Sequence, residues 1–310
     1  MRLHEYKDDF ADLISIVAAE KHLPESAIER DYYIVMLLKQ LAESEYADVC
    51  VFKGGTSLSK CYPGSIERFS EDIDLTYLGM DRTDKECDKA IKKIESVMTA
   101  GAQTEKIGAE RSNRSKSMYV WFGDRANRVK LEIGSSVRPD PYAKKMLKTY
   151  IQEFLEANGN ADDVEKFGLV PVSLNVLDIS RTFVDKLMSV KRHAICGSLI
   201  SKERHIYDVT RLYALPEIRY FLEDKAELKR LIRLTKETDS YYLEKRGISN
   251  EYDPTGLYDF NGWRAYLNDD IRKAYGSLHK ELLYTDEKQD FDDALRVFEE
   301  IDGILRDIGE

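Results

Sequence analysis

FKGGTSLSKCYPGSIERFSEDIDLTYL, residues Phe52 to Leu78, joins Gly54-Gly55-Thr56-Ser57 to an Asp72-Ile73-Asp74 step. The run Ile73–Leu78 is predicted as a strand, and a strand sets residues i and i+2 on one face. Asp72, Asp74 and Thr76 then share a face, with Ile73, Leu75 and Tyr77 on the other. Acidic side chains are depleted in strands, and two of them roughly 7 Å apart on one face repel unless cations hold them. Hard divalent cations such as Mg2+ prefer oxygen ligands of this kind. The Gly-Gly-Thr-Ser turn offers bare backbone N–H groups and two hydroxyls to an anion. A phosphate cradle beside a carboxylate pair points to phosphoryl or nucleotidyl transfer. The turn is not a Walker A loop, because Lys60 stands between Ser59 and Cys61 instead of within Gly-Lys-Ser/Thr.

Working outward, apolar residues at helical spacing predict helices over 3–20 (Phe10, Leu13, Ile14, Val17) and 26–43 (Ile28, Tyr32, Val35, Met36, Leu38). A short strand Val49–Phe52 and a helix from Thr56 to about Cys61 flank the glycine pair, and Pro63-Gly64 is a turn. A helix over 83–99 precedes two strands, Ser117–Phe122 and Arg128–Gly134, the second alternating Val129, Leu131 and Ile133 with Lys130 and Glu132. A helix is expected over Met146–Leu155 and a loop at Asn158-Gly159-Asn160. From Ile179 onward the pattern is helical only: stripes of Ile179, Phe183, Leu187, Val190 and of Ile206, Val209, Leu212, Tyr213, then helices near 217–236 and 287–307. Tyr252–Trp263 is an irregular connector.

This predicts an α+β protein: a mixed sheet with helices in the N-terminal half, then a C-terminal helical bundle. The composition shift near residue 178 divides an α/β domain, 1–178, from a helical domain, 179–310, expected to complete a nucleotide and acceptor cleft. Length permits one large or two medium domains. A net charge of -10 argues against a protein that coats nucleic acid. No apolar run of about 18 residues occurs, and the charged N-terminus lacks a signal core. The four cysteines, Cys50, Cys61, Cys87 and Cys196, form no CxxC pair. They are read as reduced thiols of a cytoplasmic protein without a zinc site.

Three further constellations stand out. Glu132, on a strand expected beside Asp72 and Asp74, supplies a third carboxylate, or simply pairs with Lys130. Lys186 sits on an apolar helix stripe, an unusual place for an ammonium, and Asp208 sits at the edge of another. They are either a triphosphate-binding lysine with its partner or a structural ion pair. Basic clusters (Lys144-Lys145-Lys148, Lys191-Arg192-His193, Lys202/Arg204/His205/Arg211, Lys229-Arg230/Arg233) are solvated faces or, if they share one rim, an RNA track. HExxH and GxSxG are absent.

KGGTSLSK followed by RFSEDIDL resembles the AbiEii-type nucleotidyltransferases, toxins of abortive-infection and toxin–antitoxin systems that include the MenT toxins. They belong to the DNA polymerase β-like superfamily. The likeness extends to ERDYYIVMLLKQL, FVDKLMSV and RHIYDVTRLY, about residues 25–215. It implies Asp72 and Asp74 as the metal pair, with Glu132 in the place of the third carboxylate. It implies Gly54, Gly55, Thr56, Ser57, Lys60 and Ser70 as nucleotide and phosphate binders, and Lys186 and Asp208 as the later catalytic motifs. The implied activity moves a nucleoside monophosphate from an NTP to an RNA acceptor, the tRNA 3′ end, with two Mg2+ or Mn2+ ions. Asp208 or Glu132 would accept the proton, and a cognate antitoxin is the expected protein partner. A phosphate on Ser70 would add about -1.5 to -2 charges beside the metals and repel the triphosphate. The alternatives are an aminoglycoside-type small-molecule nucleotidyltransferase and a nucleotide-binding regulator without turnover.

Overall fold

The structure, a computed structural model, describes residues 1–246, 251–281, 283–285, 287 and 289–310. The chain divides into two compact units. The first comprises Met1–Tyr62 and Phe69–Leu177, the second Pro63–Arg68 and Asp178–Glu310. Pro63–Arg68 thus belongs to the second unit, although continuity of sequence assigns it to the first.

The first unit begins with two helices, α1 (Lys7–Lys21) and α2 (Glu25–Ala42), then β1 (Cys50–Lys53), α3 (Gly54–Cys61), β2 (Asp72–Tyr77) and α4 (Asp84–Met98). Three strands follow, β3 (Gln103–Lys106), β4 (Ser115–Trp121) and β5 (Val129–Gly134). The unit ends with β6 (Tyr142–Leu147), α5 (Tyr150–Ala157), α6 (Ala161–Lys166) and β7 (Val172–Leu177). The seven strands form one mixed sheet, ordered β3-β4-β5-β2-β1-β7-β6. β2 runs parallel to β5, and β1 parallel to β7; the other neighbours are antiparallel.

Period-two patterning sets the layers. Ile73, Leu131, Ile133, Met118 and Val120 are buried, and α2 and α4 pack against β4, β5 and β7. The alternate positions of β2, β4 and β5, among them Asp72, Asp74, Tyr119, Trp121, Lys130 and Glu132, are half-buried on the opposite, open face. α4 starts where Thr83-x-x-Glu86 closes a capping box. A second apolar cluster joins α1, α2 and α5 through Phe10, Val17, Ile28, Tyr32 and Ile151.

The strands around the aspartates form as their alternation predicts. β3, β6 and β7 lie outside the predicted set. The helix expected over Met146–Leu155 begins instead at Tyr150. Met146 and Leu147 pair in β6, and the Thr149 side chain accepts from the Gln152 N–H to cap the helix start.

Among its described residues, the second unit holds helices and one isolated bridge, Arg68 to Leu283. The helices are α7 (Ile179–Ile195), α8 (Arg204–Tyr213), α9 (Pro216–Glu223), α10 (Lys225–Arg246), α11 (Phe260–Trp263), α12 (Asp269–Glu281) and α13 (Phe291–Asp307). The span expected near 217–236 as one helix breaks at Asp224 into α9 and α10. The helix expected over 287–307 starts at Phe291; residue 288 of that span lies outside the described residues. The core of this unit includes Phe183, Leu187, Ile206, Leu212, Trp263 and Phe298. No helix among the described residues is long and apolar enough to cross a membrane.

Candidate active site

In the first unit, β1 runs straight into α3, which starts at Gly54 with no side chain capping its N–H groups. The first turn of a helix has unpaired N–H donors, so this end is open to an anion. Gly54 holds φ +85, a conformation glycine adopts freely. A Cβ at position 54 would lie 2.2 Å from Asp74 Oδ2. The Asp74 carboxylate therefore rests directly over the glycine, which explains the residue type on both counts.

Asp72 and Asp74 lie on the open face of the sheet. Asp74 is paired in register with Lys53 on β1 and Glu132 on β5, and Asp72 with Lys130. Glu132 thus neighbours Asp74 on the same face. Its carboxylate, however, lies 2.5 Å from Lys130 Nζ, which also reaches Glu110 at 2.8 Å. Burial alone would lower the Lys130 pKa, but the hydrogen bonds it donates to Glu110 and Glu132 outweigh it and raise it. Among the described residues, no three His, Cys, Asp or Glu side chains are gathered as for a metal ion. The all-oxygen pair of Asp72 and Asp74 suits a hard divalent cation. Glu132 is turned to Lys130 and does not complete the set in this arrangement.

The two hydroxyls of the turn are not offered to an anion. Thr56 Oγ1 donates to the Asp72 carbonyl at 2.5 Å and lies 3.0 Å from Ser70 Oγ. Ser57 Oγ donates to the Gly54 carbonyl at 2.9 Å and is fully buried. They fasten α3 to β2 and to itself, which leaves the backbone N–H groups of Gly54 and Gly55 as the donors the turn could offer an anion. Lys60 is placed elsewhere. Its side chain, 3% exposed, lies 2.7 Å from Asp31 Oδ1 and 3.9 Å from the centroid of the Tyr150 ring. Helical spacing explains this: six residues past Gly54, the side chain points back under the sheet instead of toward the turn's N–H groups. Asp31 also accepts from the Tyr150 N–H at 2.7 Å, so this ion pair ties α2, α3 and α5.

In the second unit, Lys186 and Asp208 meet. Lys186 Nζ is 2.6 Å from Asp208 Oδ2. A third member, Arg68, carries no periodic signature in the sequence. It binds Asp208 bidentately, Nε to Oδ1 at 2.6 Å and Nη2 to Oδ2 at 2.7 Å. Asp208 is completely buried. Burial alone would raise its pKa, yet the Arg68 and Lys186 charges with their hydrogen bonds hold it well below the ordinary carboxylate range. A carboxylate so placed is a poor proton acceptor. In this arrangement it is engaged by two cations, which does not favour it over Glu132 as the proton acceptor expected from the sequence. Neighbouring bonds fix the Arg68 segment: the Glu67 N–H donates to Tyr207 Oη at 3.2 Å, and Arg211 pairs with Glu67 at 2.8 Å.

The basic clusters resolve into local ion pairs. Lys144 pairs with Asp48, Arg192 with Asp239, Arg211 with Glu67 and Glu287, and Arg233 with Glu310. Lys191 is buried, with its Nζ donating to the Leu257 carbonyl.

Comparison with known proteins gives three findings. Residues 36–297 match the family model described as nucleotidyl transferase AbiEii toxin, Type IV TA system. Among solved structures, MenT4, a nucleotidyltransferase toxin of Mycobacterium tuberculosis H37Rv, is 17% identical with a TM-score of 0.49, over 96% of this chain and 99% of its own. JHP933 of Helicobacter pylori is also 17% identical, with a TM-score of 0.39, over 84% of this chain and 96% of its own. Comparison with curated proteins finds no match. The family match spans most of both units, glycine turn, aspartate strand and Lys186–Asp208 included, and the chain belongs to the AbiEii nucleotidyltransferase toxin family of type IV toxin–antitoxin systems.

Proposed function

We propose that this toxin transfers a nucleoside monophosphate from an NTP to a hydroxyl of an RNA, with the tRNA 3′ end as the favoured acceptor. The observation that carries the reading is the seating of Asp74 on Gly54, beside Asp72 and the uncapped start of α3. Oxygen ligands for a hard cation and N–H donors for a phosphate then share one corner of the sheet. Divalent cations such as Mg2+, held by Asp72 and Asp74, would offset triphosphate charge and lower the pKa of the attacking hydroxyl.

The acceptor oxygen bonds to the α-phosphorus, the bond from that phosphorus to the bridging oxygen breaks, and pyrophosphate leaves. Gly54 and Gly55 N–H groups orient the phosphates. The proton goes to Glu132, one strand from Asp74 on the open face, which first gives up its bond to Lys130. Lys186 counters charge on the triphosphate.

The test supplies Mg2+, each α-labelled NTP in turn and total tRNA, and follows label into RNA. Incorporation with pyrophosphate release is expected. Release with aminoglycosides but not RNA would replace the RNA acceptor with a small molecule, and no release with any acceptor would favour a non-catalytic regulator.

A further inference from the structure

On the same open face as the carboxylates, β4 carries two aromatic rings. Register fixes their place: Tyr119 pairs with Lys130, which pairs with Asp72. Tyr119 therefore shares the rung of Asp72, two strand spacings away, roughly 10 Å. Trp121 lies two residues further along β4, roughly 7 Å on, on the same face. Both rings are half-buried, so each retains an accessible portion. This differs from Phe122 beside them, which stacks on Tyr33 with centroids 5.0 Å apart.

Each ring carries an exposed arginine. The Arg128 guanidinium lies 4.5 Å from the centroid of Tyr119, and that of Arg125 lies 5.7 Å from the centroid of Trp121. Arg125 also pairs with the exposed Glu105, a solvent-screened surface contact that is readily exchanged. Among the described residues no carboxylate pairs with Arg128, whose partner is the Tyr119 ring. Nothing in the packing of the sheet requires this arrangement, because the buried side of β4 is supplied by Met118 and Val120.

We infer that Tyr119 and Trp121, with Arg128 and Arg125, form a stacking platform for the single-stranded end of the RNA acceptor. Flat rings on a sheet bind unstacked bases, and arginines beside them take phosphates or stack in turn. Two rings in succession suit two consecutive bases of a strand, whereas an NTP brings one base. The platform leads toward Asp72, where the strand's terminal hydroxyl would be presented. The inference rests on the RNA reading proposed above, but its binding step needs no turnover.

The test titrates the intact protein with an unstructured RNA of about ten nucleotides, reading tryptophan fluorescence and affinity. Only Trp121 and Trp263 are present, and Trp263 is 2% exposed, so quenching reports Trp121. RNA should quench, and Trp121→Leu should abolish the change. Tyr119→Leu and Trp121→Leu should each weaken RNA binding about tenfold with the KM for NTP unmoved, and Trp121→Phe should restore binding. Arg128→Ala should reduce the salt slope of binding by about one. Thermal melting of each variant shows whether it is folded. Unchanged RNA affinity in the folded leucine variants would overturn the platform, as would a raised KM for NTP with RNA affinity intact. RNA binding that depends on these rings, without transfer to RNA, would overturn the proposed reaction and leave the platform standing.

Discussion

The two charged groups assigned to nucleotide chemistry are built in opposite ways. Asp72 and Asp74 lie on an open sheet face, and the sheet would hold without them. Arg68, Lys186 and Asp208 are buried, with both cations bonded to Asp208. Removing one partner from a buried ion pair strands the other, while the half-buried carboxylates of the open face keep access to water. In the proposed reading, the same residue type serves chemistry on the sheet and holds buried cations in the helical unit.

Asp208→Ala breaks the comparison most strongly. It leaves the Arg68 and Lys186 cations buried without their anion, and should cost about 3–5 kcal/mol in denaturant unfolding. Lys186→Met comes next. Asp208 keeps its two bonds to Arg68, so stability should fall less, while transfer should drop about 10²–10³-fold. A variant that loses stability and retains turnover would reduce Lys186 to a structural ion.

What was legible in the sequence follows this division. Alternation exposed β2 and β5, and an acidic i, i+2 pair in a strand has few structural explanations. Arg68 had no such signal, because its place depends on Asp208, 140 residues away. Lys60 looked like a phosphate ligand beside the glycines, yet six residues along the helix it faces Asp31. β6 was hidden because edge position leaves Ala143, Lys144 and Met146 exposed, with no apolar alternation to find. Among its described side chains α12 buries Ile271, Tyr275 and Leu278, a thin stripe in a charged segment.

A smaller effect sharpens the open-face half. Gly54→Ala places a methyl against Asp74 at a positive φ, and should cost about 1–2 kcal/mol while weakening divalent-cation dependence of transfer. Calorimetry and a Mg2+ titration of activity read the two separately. The smallest expected effect is in pH. Burial, with Arg192 and Lys202 adding to it, lowers the His193 pKa to about 4, below an unfolded value of about 6.5. The unfolded chain binds the proton first, so stability is complete above about pH 6.5 and declines as pH falls toward 4. Asp208, also depressed, extends the loss below about pH 4. Denaturant midpoints at pH 7 and 5 should differ in that direction, and His193→Gln should reduce the difference.

The central claim is tested most directly by an Asp72→Asn, Asp74→Asn double variant, assayed for transfer of labelled nucleotide to tRNA beside the wild-type chain. The account predicts an unchanged melting temperature and a loss of transfer of about 10³-fold or more, the several kcal/mol that cation-held charge contributes. Wild-type rates in the folded double variant would contradict it.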